Sequence, residues 1–221
     1  MRHRSIPMLL GKLLSCIVVG VLAAPVTGVA GPLRTGDAAR NFSAVLLDLQ
    51  GDVRRLDGAR LPAAQRPVVE ARVTAFLNIL PLLAREYLAA DGRLEAATVK
   101  RLRALKSAYR ADDKADFRRR LHALLGEFPL DTRRLTQAPV SDAQIRWAKR
   151  TYRVQCMSCH GHHNPDSGMP APNLFAWAHE MKPETFAARM IVGLRGTPAI
   201  NLRNPLSKSQ MAALIAYFRR N

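Results

Sequence analysis

Apolar residues recur at three- and four-residue steps through the N-terminal half of the chain, which predicts a series of amphipathic helices. Four such stripes begin at Val45, Val69, Leu94 and Phe117. Pro81 lies inside the second stripe and predicts a kink or a break in that helix. Because the connections between the stripes are short, residues 31–128 are predicted to form a bundle of antiparallel helices.

The pattern changes after Phe128. Residues 129–140 have no clear period and contain two prolines, so they are predicted to be a linker. Residues 141–221 then read as a second, smaller helical region. Its first and last helices each open with Ser followed three residues later by Gln, the capping-box pattern, at Ser141 and at Ser207. The apolar residues are mainly Leu, Ala and Val, and aromatics make up 6%. This composition favours an all-α fold.

The first thirty residues have the composition of a secretory signal peptide. Arg2, Arg4 and Lys12 form a positive start, residues 13–22 are apolar, and small residues surround Ala30. A retained membrane anchor is the alternative, because the apolar stretch is nearly long enough to cross a bilayer. No later segment is predicted to span a membrane. In both cases the rest of the chain is expected to be exported, which predicts a periplasmic location.

The two cysteines beyond the leader form a motif with chemical meaning. Cys156 and Cys159 are separated by two residues, and His160 follows directly. Two thiols at this spacing can bond the two vinyl groups of one porphyrin, and the adjacent imidazole can bind its iron. A redox dithiol, a structural disulfide and a zinc half-site are the alternatives, although a redox dithiol expects a βαβ setting. The remaining zinc ligands would come from His162, His163 and His179. We predict one covalently bound haem c.

Further residues extend the motif into a resemblance to class I cytochromes c over residues 141–221. Tyr152 and Ala148 precede Cys156 by four and eight residues, where that family has an aromatic and a small residue on its first helix. Leu214 and Tyr217 match the pair that these residues contact on the last helix. Residues 172–174, Pro-Asn-Leu, match a family segment twelve residues after the histidine. The helical region before the linker resembles no family that we can name.

The resemblance implies a role for each matched residue. Cys156 and Cys159 would anchor the haem, and His160 would be the proximal iron ligand. The carbonyl of Pro172 would accept a hydrogen bond from the other His160 nitrogen, which fixes the ring and raises its basicity. Phe175 and Trp177 are expected to line the haem pocket. Arg189 or Arg195 is expected to face the haem propionates or the solvent.

The sequence departs from the family at the second axial ligand. That ligand is usually a methionine beside a proline shortly before the last helix, but residues 195–200 contain Pro198 and no methionine. The distal ligand is therefore unknown, with Met190, Met181 and Met169 as candidates. A histidine, a side chain from the helical region, or an open site that binds water are the alternatives. His122 is expected to be a surface or core residue.

The net charge of the chain indicates which kind of partner it binds. The chain has 34 Lys and Arg against 17 Asp and Glu, a formal net charge of +17, and loss of the leader would remove three cations. Such a charge steers association with acidic partners. The basic residues are spread along helices without a nucleic-acid motif, so the expected partner is an acidic redox protein or respiratory complex and not nucleic acid. Association with a membrane surface, or a solvated surface without a partner, is left open.

These observations predict a periplasmic monohaem cytochrome c that transfers single electrons and is not an enzyme in its own right. The helical bundle would be a docking or assembly module. A haem protein that binds or senses a small molecule at an open distal site is the alternative. A subunit of a larger oxidase complex also fits the basic charge.

Overall fold

The computed structural model describes residues 35–58, 61–90, 96–161, 171–193 and 206–221, without the side chains of 35–38 and 90. Every regular element in these ranges is a helix, and the predicted all-α fold is confirmed. The leader over residues 1–30 lies outside the described residues. The described part of the chain belongs to one compact unit that begins at Leu33.

Ten α-helices follow one another along the described ranges. They are α1 (Thr35–Asp57), α2 (Arg66–Ala90), α3 (Ala96–Arg110), α4 (Lys114–Glu127), α5 (Arg133–Thr136), α6 (Asp142–Thr151), α7 (Met157–His160), α8 (Leu174–Glu180), α9 (Pro183–Val192) and α10 (Lys208–Arg220). A 3-10 turn, Ala63–Gln65, leads into α2, and a π-helical turn, Tyr152–Cys156, joins α6 to α7.

The four stripes of the N-terminal half form α1 to α4. The side chain of Asp113 caps α4 by accepting a hydrogen bond from the Asp116 N–H at 2.9 Å. Pro81 does not break α2, which continues through this residue to Ala90. The apolar faces meet in a core where the rings of Phe42, Tyr87 and Phe128 contact one another, with centroids 5.0–6.0 Å apart.

By length and composition, the helical segment over residues 63–89 is a candidate membrane span, although no segment after the leader is predicted to cross a membrane. In the structure Val73, Phe76, Leu80 and Leu83 of this segment are buried in the core. A core helix with such residues passes the same test. This helix therefore supports no conclusion about a membrane.

The hydrophobic core continues from the N-terminal helices into the C-terminal ones. Within the predicted linker, α5 buries Leu135 and packs against α9 and α10. Helix α1 packs directly on α9, and the approach is close at Gly51, where an added Cβ would lie 2.8 Å from Cγ2 of Thr185. The division into 31–128, 129–140 and 141–221 stays a prediction.

A buried ion cluster lies at this α1–α9 contact. Arg189 of α9 is 3% exposed, and its Nη2 lies 2.5 Å from Asp52 Oδ1 and 3.1 Å from Asp48 Oδ1. Arg72 of α2 forms a bidentate ion pair with Asp52, and Arg55 lies at 4.0 Å from the same carboxylate. The cluster therefore joins residues of α1, α2 and α9.

Candidate haem site

The segment that holds the Cys-x-x-Cys-His motif is a continuous helical run from Asp142 to His160. It opens with the predicted capping box: the Ser141 hydroxyl accepts from the Gln144 N–H at 3.3 Å, and the Gln144 side chain accepts from the Ser141 N–H at 2.9 Å. Between α6 and α7 the wider π turn brings the Met157 N–H to the Tyr152 carbonyl. Such turns occur frequently at functional sites.

Aromatic rings fix this segment against α10 and α8. Tyr152 contacts Phe175, Tyr217 and Phe218, with ring centroids 5.2, 6.1 and 5.6 Å away. Ala148, one turn earlier, is fully buried in the same core as Leu214. The edge-on contacts with Phe175 and Phe218 add to the free energy of burial. Ala148 and Tyr152 of the first helical segment thus share one core with Leu214 and Tyr217 of the last helix, as the resemblance implies.

His160 lies at the end of α7 with its ring held by the chain. Its Nδ1 is 2.8 Å from the carbonyl oxygen of Pro172. A carbonyl can only accept a hydrogen bond, so Nδ1 carries the proton and Nε2 of the neutral ring keeps its lone pair. Asn173 fixes the position of this carbonyl, because its side chain caps α8 by accepting from the N–H groups of Phe175 and Ala176.

The two thiols lie beside this imidazole and are not joined to each other. Cys156 is partly buried, whereas Cys159 is exposed. Burial, and then the nearby Cys159, raise the pKa of the Cys156 thiol. A raised pKa disfavours the reactive thiolate that a redox dithiol uses as its nucleophile. Two free thiols next to an imidazole with an available Nε2 form a donor set that fits a covalently bound haem.

The other predicted site residues are distributed more widely. Met190 of α9 and Met181, which follows α8, are partly buried against the core. His122 and His179 are exposed. Met169, His162, His163 and Arg195 lie outside the described residues. Across the described ranges, no group of three or more His, Cys, Asp or Glu side chains could hold a metal ion.

Trp177 and Arg189 have contacts that sequence reasoning missed. The guanidinium of Arg55 lies 5.1 Å from the Trp177 ring centroid, and that of Arg189 lies 4.9 Å away. Arg189 is therefore buried between an aromatic ring and the α1 carboxylates, and its placement toward the solvent is wrong. The acids that bind it are about 140 positions earlier in the chain, so no local pattern connects them.

A cleft of about 520 Å³ lies elsewhere, between α1, α2, α3 and α4. Tyr109 and Phe117 contribute to its apolar lining, and charged residues of both signs, including Glu70 and Lys106, surround it. None of the residues predicted to bind haem lines this cleft. It is therefore separate from the candidate haem site.

The comparisons with known proteins agree with this geometry. The resemblance of the C-terminal part to class I cytochromes c is confirmed, because a family model matches residues 143–218. That family is described as cytochrome c oxidase, cbb3-type, subunit III. The match runs from α6 into α10 and implies haem c bound to an electron-transfer module. Comparison with curated proteins and with solved structures found no match.

Proposed function

We propose that the chain is an exported c-type cytochrome that binds one haem covalently and passes single electrons between redox partners. Cys156 and Cys159 are the thioether anchors, and His160 binds the iron through Nε2. The contact between His160 Nδ1 and the Pro172 carbonyl carries this proposal, because it leaves the nitrogen needed for iron free beside two free thiols. Haem supplies an iron that cycles between the ferric and ferrous states.

Each protein group has a distinct task in this proposal. The two sulfurs hold the porphyrin next to the helix end, so the iron ligand cannot dissociate far from its metal. Pro172 keeps the imidazole in one tautomer and one orientation, and its hydrogen bond makes Nε2 a stronger donor. Asn173 keeps the Pro172 carbonyl in place by capping α8. These groups favour the oxidised iron and set its potential together with the distal ligand.

The proposed location is the periplasm, and the proposed partner is an acidic redox protein or a respiratory complex. The leader-like residues 1–30 and the attachment motif support export, because c-type haem is attached outside the cytoplasm. The formal net charge, +17 for the whole chain and +14 without the three cations of the leader, supports an acidic partner. The helices before residue 129 would be a docking or assembly module. The protein would not be an enzyme in its own right.

A haem protein that binds a small molecule such as carbon monoxide or nitric oxide is the second candidate. It is favoured by one observation: the sequence contains no methionine between Met190 and Met211, where the related cytochromes have their sulfur ligand. An iron without a protein group on its distal side binds such ligands. An electron carrier instead keeps the iron six-coordinate.

Optical spectra of the oxidised and reduced haem protein, with and without carbon monoxide, distinguish the two candidates. An electron carrier gives a low-spin spectrum that carbon monoxide does not change. A sensor gives five-coordinate ferrous iron that takes up the gas. Met190→Leu and Met181→Leu identify a sulfur ligand, because only the variant that lacks this ligand becomes reactive toward carbon monoxide. Protein without haem absorbance after expression with maturation machinery would contradict both candidates.

A further inference from the structure

The exposed side of α6 carries a row of cations that leads to the attachment motif. The basic row, spaced as i, i+3, i+4 and i+7, consists of Arg146, Lys149, Arg150 and Arg153. This spacing places side chains on one face of a helix. All four residues are exposed, whereas Ala148 and Tyr152 face the core. The row therefore points away from the body of the protein.

Acidic residues are scarce in the sequence around the basic row. Asp142 is the single acid between residues 141 and 161. Over the ranges that the structure describes, no member of the row forms an ion pair, whereas Arg119 and Arg120 on α4 both pair with Asp116. Arg101 of α3 likewise pairs with Glu127 at 2.5 Å. The positive potential of the row is thus left for an outside partner.

Two exposed apolar side chains continue the row toward the thiols. Val154 is 80% exposed and Met157 is 39% exposed. Val154 lies two residues before Cys156, and Met157 follows this cysteine directly. From Arg146 to Met157 the helical segment rises about 16 Å, at roughly 1.5 Å per residue. We call the basic row together with Val154 and Met157 the α6 docking face. Its apolar end lies directly beside Cys156, Cys159 and His160.

We propose that the α6 docking face binds an acidic redox protein and places it beside the haem. This inference rests on the proposed function, because it assigns a surface to the electron partner. Cations steer an acidic partner toward the face over long distances, and the apolar end supplies contact once the two meet. Small interfaces of this type suit short-lived electron-transfer complexes.

An anionic membrane fits this face less well than an acidic protein. A helix that lies in a membrane surface presents a broad apolar side with large residues opposite its cations. The side of α6 opposite the basic row is instead buried against α10 through Ala148 and Tyr152. Only Val154 and Met157 remain for contact, and both lie at one end of the row.

A pair of matched double variants of the full-length haem protein tests the proposal. Arg146→Glu/Lys149→Glu reverses two charges of the docking face. Lys100→Glu/Arg103→Glu reverses one lysine and one arginine at the same spacing on α3, where both are exposed. Stopped-flow spectroscopy measures the second-order rate constant of electron transfer to an acidic blue-copper protein at low and high salt.

The α6 pair should slow electron transfer about tenfold or more at low salt, because steering by opposite charges accelerates association by this order. The α3 pair should change the rate constant by no more than about twofold, and the difference should vanish at high salt as the charges are screened. Equal losses in both pairs would show a net-charge effect and overturn the proposal. Unchanged rates in the α6 pair would overturn it as well.

A second comparison leaves all charges in place. Val154→Ser should raise the Kd for the acidic blue-copper protein several-fold, whereas Leu82→Ser, at an apolar residue 54% exposed on α2, should not. Equal effects of the two substitutions would contradict docking at α6. If the α6 charge reversals weaken binding to anionic lipid vesicles but not electron transfer, the face binds lipid and the proposal fails. Missing haem absorbance would instead refute the proposed function before any kinetics.

Discussion

Asp48 and Asp52 stand one turn apart on α1 and share Arg189, yet their pKa values shift in opposite directions. Burial raises the pKa of Asp48 to about 6, against a smaller opposing effect of Arg189. Burial also acts on Asp52, but Arg189 and Arg72 outweigh it and hold the pKa of this carboxyl below its usual value. The direct ion pair with Arg72 belongs to Asp52, which explains the difference.

Asp48→Asn tests this difference through the pH dependence of stability. The unfolded Asp48 ionises near pH 4 and the folded one near pH 6, so wild-type stability falls as the pH rises between these values. The asparagine does not ionise. Relative to the wild type, the variant should therefore gain about 1–3 kcal/mol between pH 4 and pH 7, measured by urea unfolding at each pH.

Asp52→Asn is the matched control with the opposite sign. The lowered pKa of Asp52 means that its charge stabilises the folded state above pH 4, and this contribution is lost as the pH falls below that value. The cost of Asp52→Asn should accordingly be larger at pH 7 than at pH 3. Parallel pH profiles for the two variants would refute the assignment of opposite shifts.

The sequence indicates candidate site residues most directly where the chemistry is local. Cys156, Cys159 and His160 are neighbours in the chain, and Pro172 follows at a spacing known from the resembled family. The partners of Arg189 could not be predicted, because its acids come from α1 and the contact exists only after the chain has folded. The distal ligand stays a prediction for a related reason, since it depends on which side chain the tertiary fold brings to the iron.

At the scale of elements, the α1–α9 contact depends on a residue without a side chain. A Cβ at Gly51 would lie 2.8 Å from Cγ2 of Thr185, whereas one at Gly126 of α4 would meet no atom within 4 Å. In an open helix position, alanine stabilises relative to glycine by about 0.5–1 kcal/mol. Gly126→Ala should raise the free energy of unfolding by this amount, and Gly51→Ala should lower it. Thermal and urea unfolding measure both, and stabilisation by Gly51→Ala would contradict the close approach.

The capping of α8 is a second test at this scale. Asn173→Ala removes the acceptor for the N–H groups of Phe175 and Ala176, which should cost about 1 kcal/mol in the free energy of unfolding. It should also raise the reduction potential, because the Pro172 carbonyl is held less firmly and His160 becomes a weaker donor. Asn173→Asp keeps an acceptor and should restore both values. An unchanged reduction potential in Asn173→Ala would show that the α8 cap does not influence the haem site.

Among the helical features, the sequence predicted the two capping boxes most closely. Ser141 and Ser207 each begin a helix with the reciprocal hydrogen bonds that the Ser-x-x-Gln pattern requires. Other features of the helices were not predicted. Helix α2 continues through Pro81, and α5 forms within the proposed linker because Leu135 finds a place in the core. In both cases tertiary packing outweighs the local preference of the chain.

For the whole molecule, the described helices form one compact unit in which a single hydrophobic core connects the N-terminal helices to the cytochrome c domain. Burial against α1 fixes α9, and α9 carries one of the candidate distal ligands, Met190. If Met190 binds the iron, the N-terminal helices hold this ligand in place by packing against α9. Composition alone could not reveal this, because each region reads as an independent set of amphipathic helices.

The mass of the intact protein, purified after expression with haem-maturation machinery, tests the central claim most directly. The wild type should carry the added mass of one haem that survives denaturation, and Cys156→Ala/Cys159→Ala should carry none. His160→Ala checks the iron ligand, because its spectrum should change while any attached mass stays covalent. A wild-type mass equal to that of the polypeptide alone, or a haem retained covalently without the two cysteines, would contradict the account.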